Sequence, residues 1–206
     1  NYLKKFLIFA KLLRIFLIKS LLHLYSDSSK IKLITSSDLR TEYLQKKFKK
    51  INFITLRNMP VRNDISLIER DKSNKKLDNI PSIILAGNVN NFSDFEFVVS
   101  QSCKDNIKVF VAGPLPLPTR LEKIINNNKF NVQYLGYLNN QEIFLSYQKC
   151  SAGLVLYNND SINQRMSASN KLFELMSIFS PLIISKNSGV LEELKKFNYP
   201  YMLCED

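Results

Sequence analysis

Ser169, Lys171 and Glu174 lie close together in the stretch Ser169–Met176, and their types and spacing suit the binding of an anionic ligand. Ser169 is a favourable N-cap, so a helix is predicted to begin directly after it. The N–H groups of a helix N-terminus attract a phosphate group, and Lys171 adds a cation beside them. Glu174 shares a helix face with Lys171, and its carboxylate could accept both hydroxyls of a ribose. This is the chemistry of a nucleotide site, although Lys171 and Glu174 could also form an ordinary solvated ion pair.

Apolar runs alternate with helix-patterned segments around this stretch, from residue 80 to the end of the chain. Such alternation predicts an α/β domain in which a parallel sheet carries helices on both faces. Ligands of such sheets bind at the carboxyl ends of the strands. The predicted strands are Ser82–Ala86, Ile107–Ala112, Val132–Leu135, Ala152–Tyr157 and Leu182–Ser185, and the predicted helices span about 92–102, 117–127, 140–149, 170–178 and 189–197.

The helix and strand around Lys171 resemble the donor-binding motif of the retaining glycosyltransferases of family four. In one branch of that family the motif reads roughly Pro-Asn-Lys-Leu-Phe-Glu-Tyr-Met-Ala-Ala-Gly-x-Pro-Val-Ile. Ser169 replaces the first proline of the motif, and Phe179 and Ser180 occupy its glycine region. The matching positions are Asn170, Lys171, Leu172, Phe173, Glu174, Met176 and Pro181.

Further segments are similar to the same family in order and interval: Phe110–Pro114, Val132–Leu138, Asn140–Tyr147, Cys150–Leu156 and Ser188–Glu192. The resemblance implies a GT-B fold with a Rossmann-like sheet. Residues 81–206 would then be the carboxyl-terminal domain, which binds a nucleotide sugar and is incomplete at its end. Since a GT-B enzyme has two complete domains, the resemblance also implies that the chain is a fragment of a longer protein.

The resemblance implies roles for particular residues at a donor site. Lys171, with Arg165 in reserve, would act in catalysis by facing the donor diphosphate, and Glu174 would hold the ribose. No metal and no bound cofactor are expected, because enzymes of this fold generally need neither. The remaining donor-binding candidates are Ser169, Asn170 and Gly87, then Gly136, Tyr137 and Leu138 beside the base, and Ser188 and Gly189 beside the sugar or phosphate. Tyr137 could instead be a half-buried strand-end tyrosine, and Gly87 a simple turn.

Two departures from the family pattern affect the predicted chemistry. Family members generally carry an arginine and a lysine after the first strand of this domain, whereas the stretch Gly87–Glu96 contains neither. Met166 stands where the two-glutamate form of the motif has its first acid, but the branch that this chain resembles commonly lacks that acid. Arg165 and Lys171 could supply compensating charge.

Residues 1–62 resemble the end of the amino-terminal domain of such an enzyme. The pattern is a strand at Ile31–Ser37, a basic helix at Leu39–Phe48, a second strand at Phe53–Arg57 and a turn before Pro60. Residues 63–80 are charged, with few apolar side chains, and are predicted to be a linker.

Residues 2–25 are predicted to form a basic amphipathic helix. Five cations interrupt its apolar residues, which argues against a transmembrane span and against a signal peptide. The cations are Lys4, Lys5, Lys11, Arg14 and Lys19. Two interpretations remain open: a helix lying on an anionic membrane surface, and a basic surface helix packed on its own domain.

The net charge of +11 comes entirely from residues 1–80, since residues 81–206 are neutral overall. This distribution favours an anionic membrane surface over nucleic acid, because no nucleic-acid module is present. The three cysteines, Cys103, Cys150 and Cys204, match no metal-ligand spacing and are typical of buried thiols in a reducing compartment. A cytoplasmic protein is therefore expected. The basic residues 1–80 could in addition attach it peripherally to the inner face of the plasma membrane.

The resemblance implies a glycosyltransferase that moves a sugar from a nucleotide donor to a lipid-linked or saccharide acceptor, in the synthesis of a surface polysaccharide or glycolipid. Two alternatives remain. One is a non-catalytic or decayed relative, which the missing arginine and lysine favour. The other is a nucleotide-sugar epimerase of the same fold, which would need histidines, and His23 is the single histidine of the chain.

Overall fold

A computed structural model of the chain describes Ser20, residues 32–60 and residues 80–204. The predicted helix 2–25, except Ser20, and the predicted linker 63–80, except Ile80, lie outside these residues. The chain divides into two compact units after Arg57. None of the helices in the described residues is both long and apolar enough to cross a membrane.

The described part of the first unit, residues 32–57, is a strand–helix–strand element made of β1 (Lys32–Thr35), α1 (Asp38–Lys47) and β2 (Asn52–Thr55). β1 and β2 pair in parallel, with Ile34 opposite Ile54. The helix begins where the Ser37 hydroxyl accepts a hydrogen bond from the Arg40 N–H at 3.4 Å, as expected for an N-cap. A hydrogen bond of 2.7 Å between the Thr41 and Thr55 hydroxyls joins helix to strand.

The second unit contains a six-stranded parallel sheet in the order β5-β4-β3-β6-β7-β8. This order reverses between β3 and β6, so the ends of these two strands form the crevice in which such sheets bind ligands. The strands are β3 (Ser82–Ala86), β4 (Lys108–Ala112), β5 (Val132–Gly136), β6 (Ala152–Val155), β7 (Leu182–Ile184) and β8 (Met202–Leu203). The helices are α2 (Phe92–Lys104), α3 (Thr119–Ile125), α4 (Asn140–Lys149), α5 (Ile162–Arg165), α6 (Asn170–Ser177) and α7 (Ser188–Lys196).

Both faces of the sheet are buried under helices, because successive strand residues point to opposite faces. Along β3, Ile84 belongs to the core that packs against α4, α6 and α7, whereas Ile83 and Leu85 belong to the core that packs against α2 and α3. The fold class predicted from the sequence, a parallel sheet with helices on both faces, is confirmed.

The predicted strands and helices of residues 80–204 agree with the observed ones to within a few residues. Two observed elements are not among the predicted strands and helices given above: the short strand β8, and α5, which lies between β6 and α6. The Ser161 hydroxyl caps this helix by accepting from the Gln164 N–H at 3.2 Å. Four residues are too few to show a hydrophobic periodicity, so only the capping residue could have indicated the helix.

Candidate functional site

Gly87 ends β3 at the crevice where the strand order reverses. Its φ of +83° is one that side-chain-bearing residues rarely adopt, so the turn requires a glycine. The Gly87 N–H donates to the Ala112 carbonyl oxygen at 2.6 Å, and the Gly113 N–H donates to the Gly136 carbonyl oxygen at 3.0 Å. The ends of β3, β4 and β5 are therefore tied together at one edge.

Lys171 reaches this edge from the first turn of α6. Its Nζ donates to the Asn88 carbonyl oxygen at 3.1 Å, and a Cβ built on Gly87 would lie 3.4 Å from the Lys171 Cε. The ammonium group also lies 5.8 Å from the centre of the Tyr157 ring, which follows β6. Burial lowers the pKa of Lys171 to about 8, although the charge of Glu174 acts in the opposite direction. The sequence did not predict this burial.

Tyr157 links the loop after β3 to the start of α6. Burial raises the pKa of Tyr157, although the neighbouring side chains of Ser169 and Asn90 act in the opposite direction. Ser169 also caps α6, because its hydroxyl accepts from the Leu172 N–H at 3.3 Å. The predicted N-cap is thus present, and it lies beside Tyr157.

Helix α6 lies close to the sheet because β6 carries a glycine beneath it. A Cβ built on Gly153 would lie 2.4 Å from both methyl groups of Leu175, a distance that no packed side chain allows. Leu175 is 1% exposed and fills that space. This close contact fixes α6 on the sheet, and with it the side chains on its exposed face.

Glu174 lines a cleft of about 360 Å³ between α4 and α6 within the second unit. One of its oxygens, Oε2, accepts a hydrogen bond from the Tyr147 hydroxyl at 3.2 Å. Burial raises the pKa of Tyr147, and the adjacent Glu174 charge raises it further. The other residues lining the cleft are Asn58, Met59, Pro60, Asn140, Phe144 and Asn170. Its lining therefore combines three carboxamide groups and one carboxylate with the Phe144 ring and the apolar side chains of Met59 and Pro60.

The side chain of Asn187 caps the N-terminus of α7. Ser188 and Gly189, at this N-terminus, were predicted to contact the donor. The Oδ1 of Asn187 accepts from the N–H groups of Gly189 at 3.0 Å and Val190 at 3.2 Å. Its Nδ2 donates to the carbonyl oxygens of Asn158 and Gln164, both at 3.0 Å. Asn187 is fully buried, and it joins the loop after β6 to both α5 and α7.

Gly189 itself is buried against the segment that leads into α6. A Cβ placed there would lie 2.5 Å from the carbonyl oxygen of Ser167, which is backbone and cannot easily move. Ser188 is exposed at the start of α7. The structure therefore gives Gly189 a packing role, while its predicted role at a sugar or phosphate stays a prediction.

The predicted residues thus fall into separate groups. Gly87, Ser169 and Lys171 meet at the crevice, whereas Asn170 and Glu174 line the cleft. Tyr137 is 76% exposed after β5, so it is not the half-buried tyrosine of the alternative interpretation. The others lie on separate elements: Gly136 at the end of β5, Leu138 against the core beneath α4, and Arg165 exposed at the end of α5.

Sequence reasoning missed Tyr147, Tyr157 and Asn187. Asn187 carried a signal, because asparagine is a favoured N-cap and this one lies two residues before the predicted helix start at about residue 189. Tyr147 lies in a predicted helix and Tyr157 ends an apolar run, and in neither place does the sequence distinguish a hydroxyl that faces a polar partner from one that faces the solvent. Within the described residues, no three histidine, cysteine, aspartate or glutamate side chains gather where a metal ion could bind.

Comparison with solved structures identifies the type of fold. The chain is similar to sucrose-phosphate synthase from Thermosynechococcus elongatus, with a TM-score of 0.54 and 15% identity over 84% of this chain and 44% of that one. The fold is of the GT-B type. AviGT4, a glycosyltransferase involved in avilamycin A biosynthesis, matches 65% of this chain and 41% of its own, with a TM-score of 0.48 and 10% identity. The chain spans less than half the length of either structure.

The sequence comparisons add nothing to this fold assignment. No protein-family model matches the chain, and no curated protein matches its sequence. At 15% identity a structural likeness shows the fold alone, so the chemistry has to be argued from the site.

Proposed function

We propose that this chain supplies the donor-binding part of a glycosyltransferase that uses a nucleotide sugar. The observation that carries the proposal is the placement of two side chains of α6. Lys171 reaches the crevice between β3 and β6, while Glu174, one turn further along the helix, lines the adjacent cleft. A cation and a carboxylate in neighbouring recesses match the diphosphate and the ribose of one ligand.

The crevice suits a diphosphate for three reasons. Lys171 brings an ammonium group to it, α6 begins beside it with a capped N-terminus, and Gly87 has no side chain that would crowd the Lys171 ammonium group. Lys171 now donates to the Asn88 carbonyl oxygen, which is a neutral acceptor. A phosphate oxygen would be a stronger, charged acceptor for the same ammonium group.

The proposed reaction is retaining transfer of the sugar to an acceptor hydroxyl. Negative charge grows on the nucleoside diphosphate as it departs, and a fixed cation with oriented N–H groups stabilises that charge. Lys171 would supply the cation, with Arg165 contributing from the end of α5. Donor base, sugar and acceptor are left open, and a bound metal is no part of the proposal.

We further propose an acceptor of the lipid-linked or saccharide type, with surface polysaccharide or glycolipid as the product. The support is the charge of +11 in residues 1–80, which suits anionic acceptors and an anionic membrane surface on the cytoplasmic side. A nucleotide-binding protein without transferase activity is the second candidate, because the loop Gly87–Ser93 carries no lysine or arginine.

The test is a thermal-shift titration of the intact gene product with UDP, GDP, ADP and their glucose conjugates. We expect one nucleotide to raise the melting temperature, and Lys171→Met and Glu174→Gln each to weaken that response about tenfold or more. Lys195→Met and Glu122→Gln remove the same charges at exposed positions of α7 and α3 and should leave the response unchanged.

Two outcomes would contradict the proposal. If no nucleotide shifts a cooperatively folded protein, the donor site is not functional. If the exposed control variants weaken the response as much as Lys171→Met and Glu174→Gln do, the effect is one of overall charge. The non-catalytic candidate would be favoured if the protein binds a nucleotide but releases no nucleoside diphosphate from any nucleotide sugar when saccharide acceptors are present.

A further inference from the structure

We infer that Tyr147 is a positioning residue for the nucleoside half of the ligand, acting through Glu174. The inference rests on the proposed function, and it concerns a residue that the nucleotide motif of α6 does not include. Tyr147 lies on α4, the helix that forms the opposite wall of the cleft.

The contact between the two helices is a hydrogen bond from the Tyr147 hydroxyl to the Glu174 Oε2, at 3.2 Å. A glutamate side chain has three rotatable bonds, so a carboxylate at the edge of a cleft adopts many orientations unless it is held. The Tyr147 ring is 1% exposed and meets the Phe144 ring edge-on, with centroids 6.2 Å apart. A rigid donor therefore fixes a flexible acceptor.

Tyr147 can act only as the donor of this bond under ordinary conditions. Burial and the adjacent carboxylate both raise the pKa of its phenol, so the hydroxyl keeps its proton. A donor at Oε2 fixes the plane of the Glu174 carboxylate, and the direction from which ligand hydroxyls are accepted is fixed with it.

The same tyrosine couples the two walls of the cleft. Asn140 and Phe144 line it from α4, while Asn170 and Glu174 line it from α6. Because the Tyr147–Glu174 bond joins these walls at the carboxylate, its loss would affect ligands that use the carboxylate more than ligands that merely fill the cleft. A ribose presents two adjacent hydroxyls to the carboxylate, whereas a 2′-deoxyribose presents one.

The experiment compares Tyr147→Phe with the intact gene product in binding whichever of UDP, GDP or ADP binds best, and in binding the 2′-deoxy form of the same nucleotide. We expect Tyr147→Phe to weaken binding of the ribonucleotide about tenfold and binding of the deoxynucleotide less than about twofold. In a Glu174→Gln background, Tyr147→Phe should cause little further loss, because the two residues act as a unit.

Tyr199→Phe is the matched control. It removes a hydroxyl that donates to the Ser180 carbonyl oxygen at 2.8 Å, in the same helical layer but away from the residues that line the cleft. It should leave the ratio of ribonucleotide to deoxynucleotide affinity unchanged.

Three results would overturn the inference in distinguishable ways. An unchanged ratio in Tyr147→Phe, with the nucleotide still bound by the parent protein, would reduce Tyr147 to a packing residue. Equal additional loss in the Glu174→Gln background would show that Tyr147 does not act through the carboxylate. If the parent protein binds no nucleotide, the proposed function fails and this inference fails with it.

Discussion

Lys171 is a cation in a half-buried place, held by the carbonyl oxygen of Asn88 and the ring of Tyr157. Desolvation disfavours its charged form, and this is why its pKa falls to about 8. A lysine that changes charge near neutral pH makes binding of an anion sensitive to pH.

We expect the affinity for a nucleoside diphosphate to fall as the pH rises from 7 to 9.5. Lys171 loses its proton across this range, so its attraction for phosphate is present below pH 8 and lost above it. The loss should be about tenfold, measured as the dissociation constant against pH. Lys171→Met should bind weakly at every pH with a flat profile, and an equally steep profile in that variant would contradict the assignment.

The lowered pKa of Lys171 also makes the free energy of unfolding depend on pH. The unfolded lysine keeps the ordinary pKa of 10.5, so the unfolded chain binds more protons than the folded one between pH 8 and 10.5. The contribution of Lys171 to the free energy of unfolding therefore increases across that interval.

At the residue scale, the sequence predicted what local chemistry determines. Ser169 was predicted as the N-cap, and Lys171 and Glu174 were predicted to share a helix face, because both statements depend only on nearby positions. The partner of Glu174 could not be predicted: Tyr147 lies 27 residues earlier. The contact between Tyr147 and Glu174 depends on how helices α4 and α6 pack, and a local sequence pattern carries no information on that packing.

Among the elements, α7 and the loops before α6 depend on one buried side chain. Asn187 supplies both the cap of α7 and two donors to the carbonyl oxygens of Asn158 and Gln164. These two functions are separable by substitution, because serine can cap a helix but is too short to reach the loops.

We expect Asn187→Ala to lower the free energy of unfolding by roughly 2–4 kcal/mol, since it removes the cap and leaves buried carbonyl groups unpaired. Asn187→Ser should recover roughly 1 kcal/mol of this by restoring the cap. Urea denaturation measures both values. Asn187→Ser should still show faster amide exchange at residues 158–167 than the parent protein, and equal stability of the two variants would refute a capping role.

The elements themselves were largely predictable, because an apolar run or a 3.6-residue period marks each longer one. The second unit illustrates this: β3 was predicted as Ser82–Ala86 and is observed with the same bounds. The short helix α5 was missed. The contact between Gly189 and the Ser167 backbone was also hidden, because a glycine in a sequence does not reveal which element approaches it.

On the scale of the whole second unit, the sheet order makes β3 and β6 central and leaves β8 at an edge. Central strands have neighbours on both sides and helices on both faces, so their hydrogen bonds open only when the unit unfolds. Parallel pairing was predictable from the alternation of strands and helices. The order itself was predictable only through the family resemblance.

We expect Ile84→Ala to lower the free energy of unfolding by roughly 2–5 kcal/mol, because the side chain is 1% exposed in the central strand and its loss leaves a cavity. Met202→Ala, at a position 68% exposed in β8, should change it by less than about 0.5 kcal/mol. Hydrogen exchange should be slowest at the amides of β3. A similar loss of stability in both variants would contradict this arrangement.

The pairing of β3 with β6 also constrains the order of events during synthesis of the chain. Ile83 pairs with Ala152, and the Ser82–Ser151 contact beside them spans 69 positions. A ribosome needs roughly 3 to 14 seconds to add that many residues. Until then β3 can pair on one side only, with β4, and the backbone N–H and C=O groups of its other edge are open to other chains. The ligand crevice between β3 and β6 can therefore form only after β6 has been synthesised and has covered this edge.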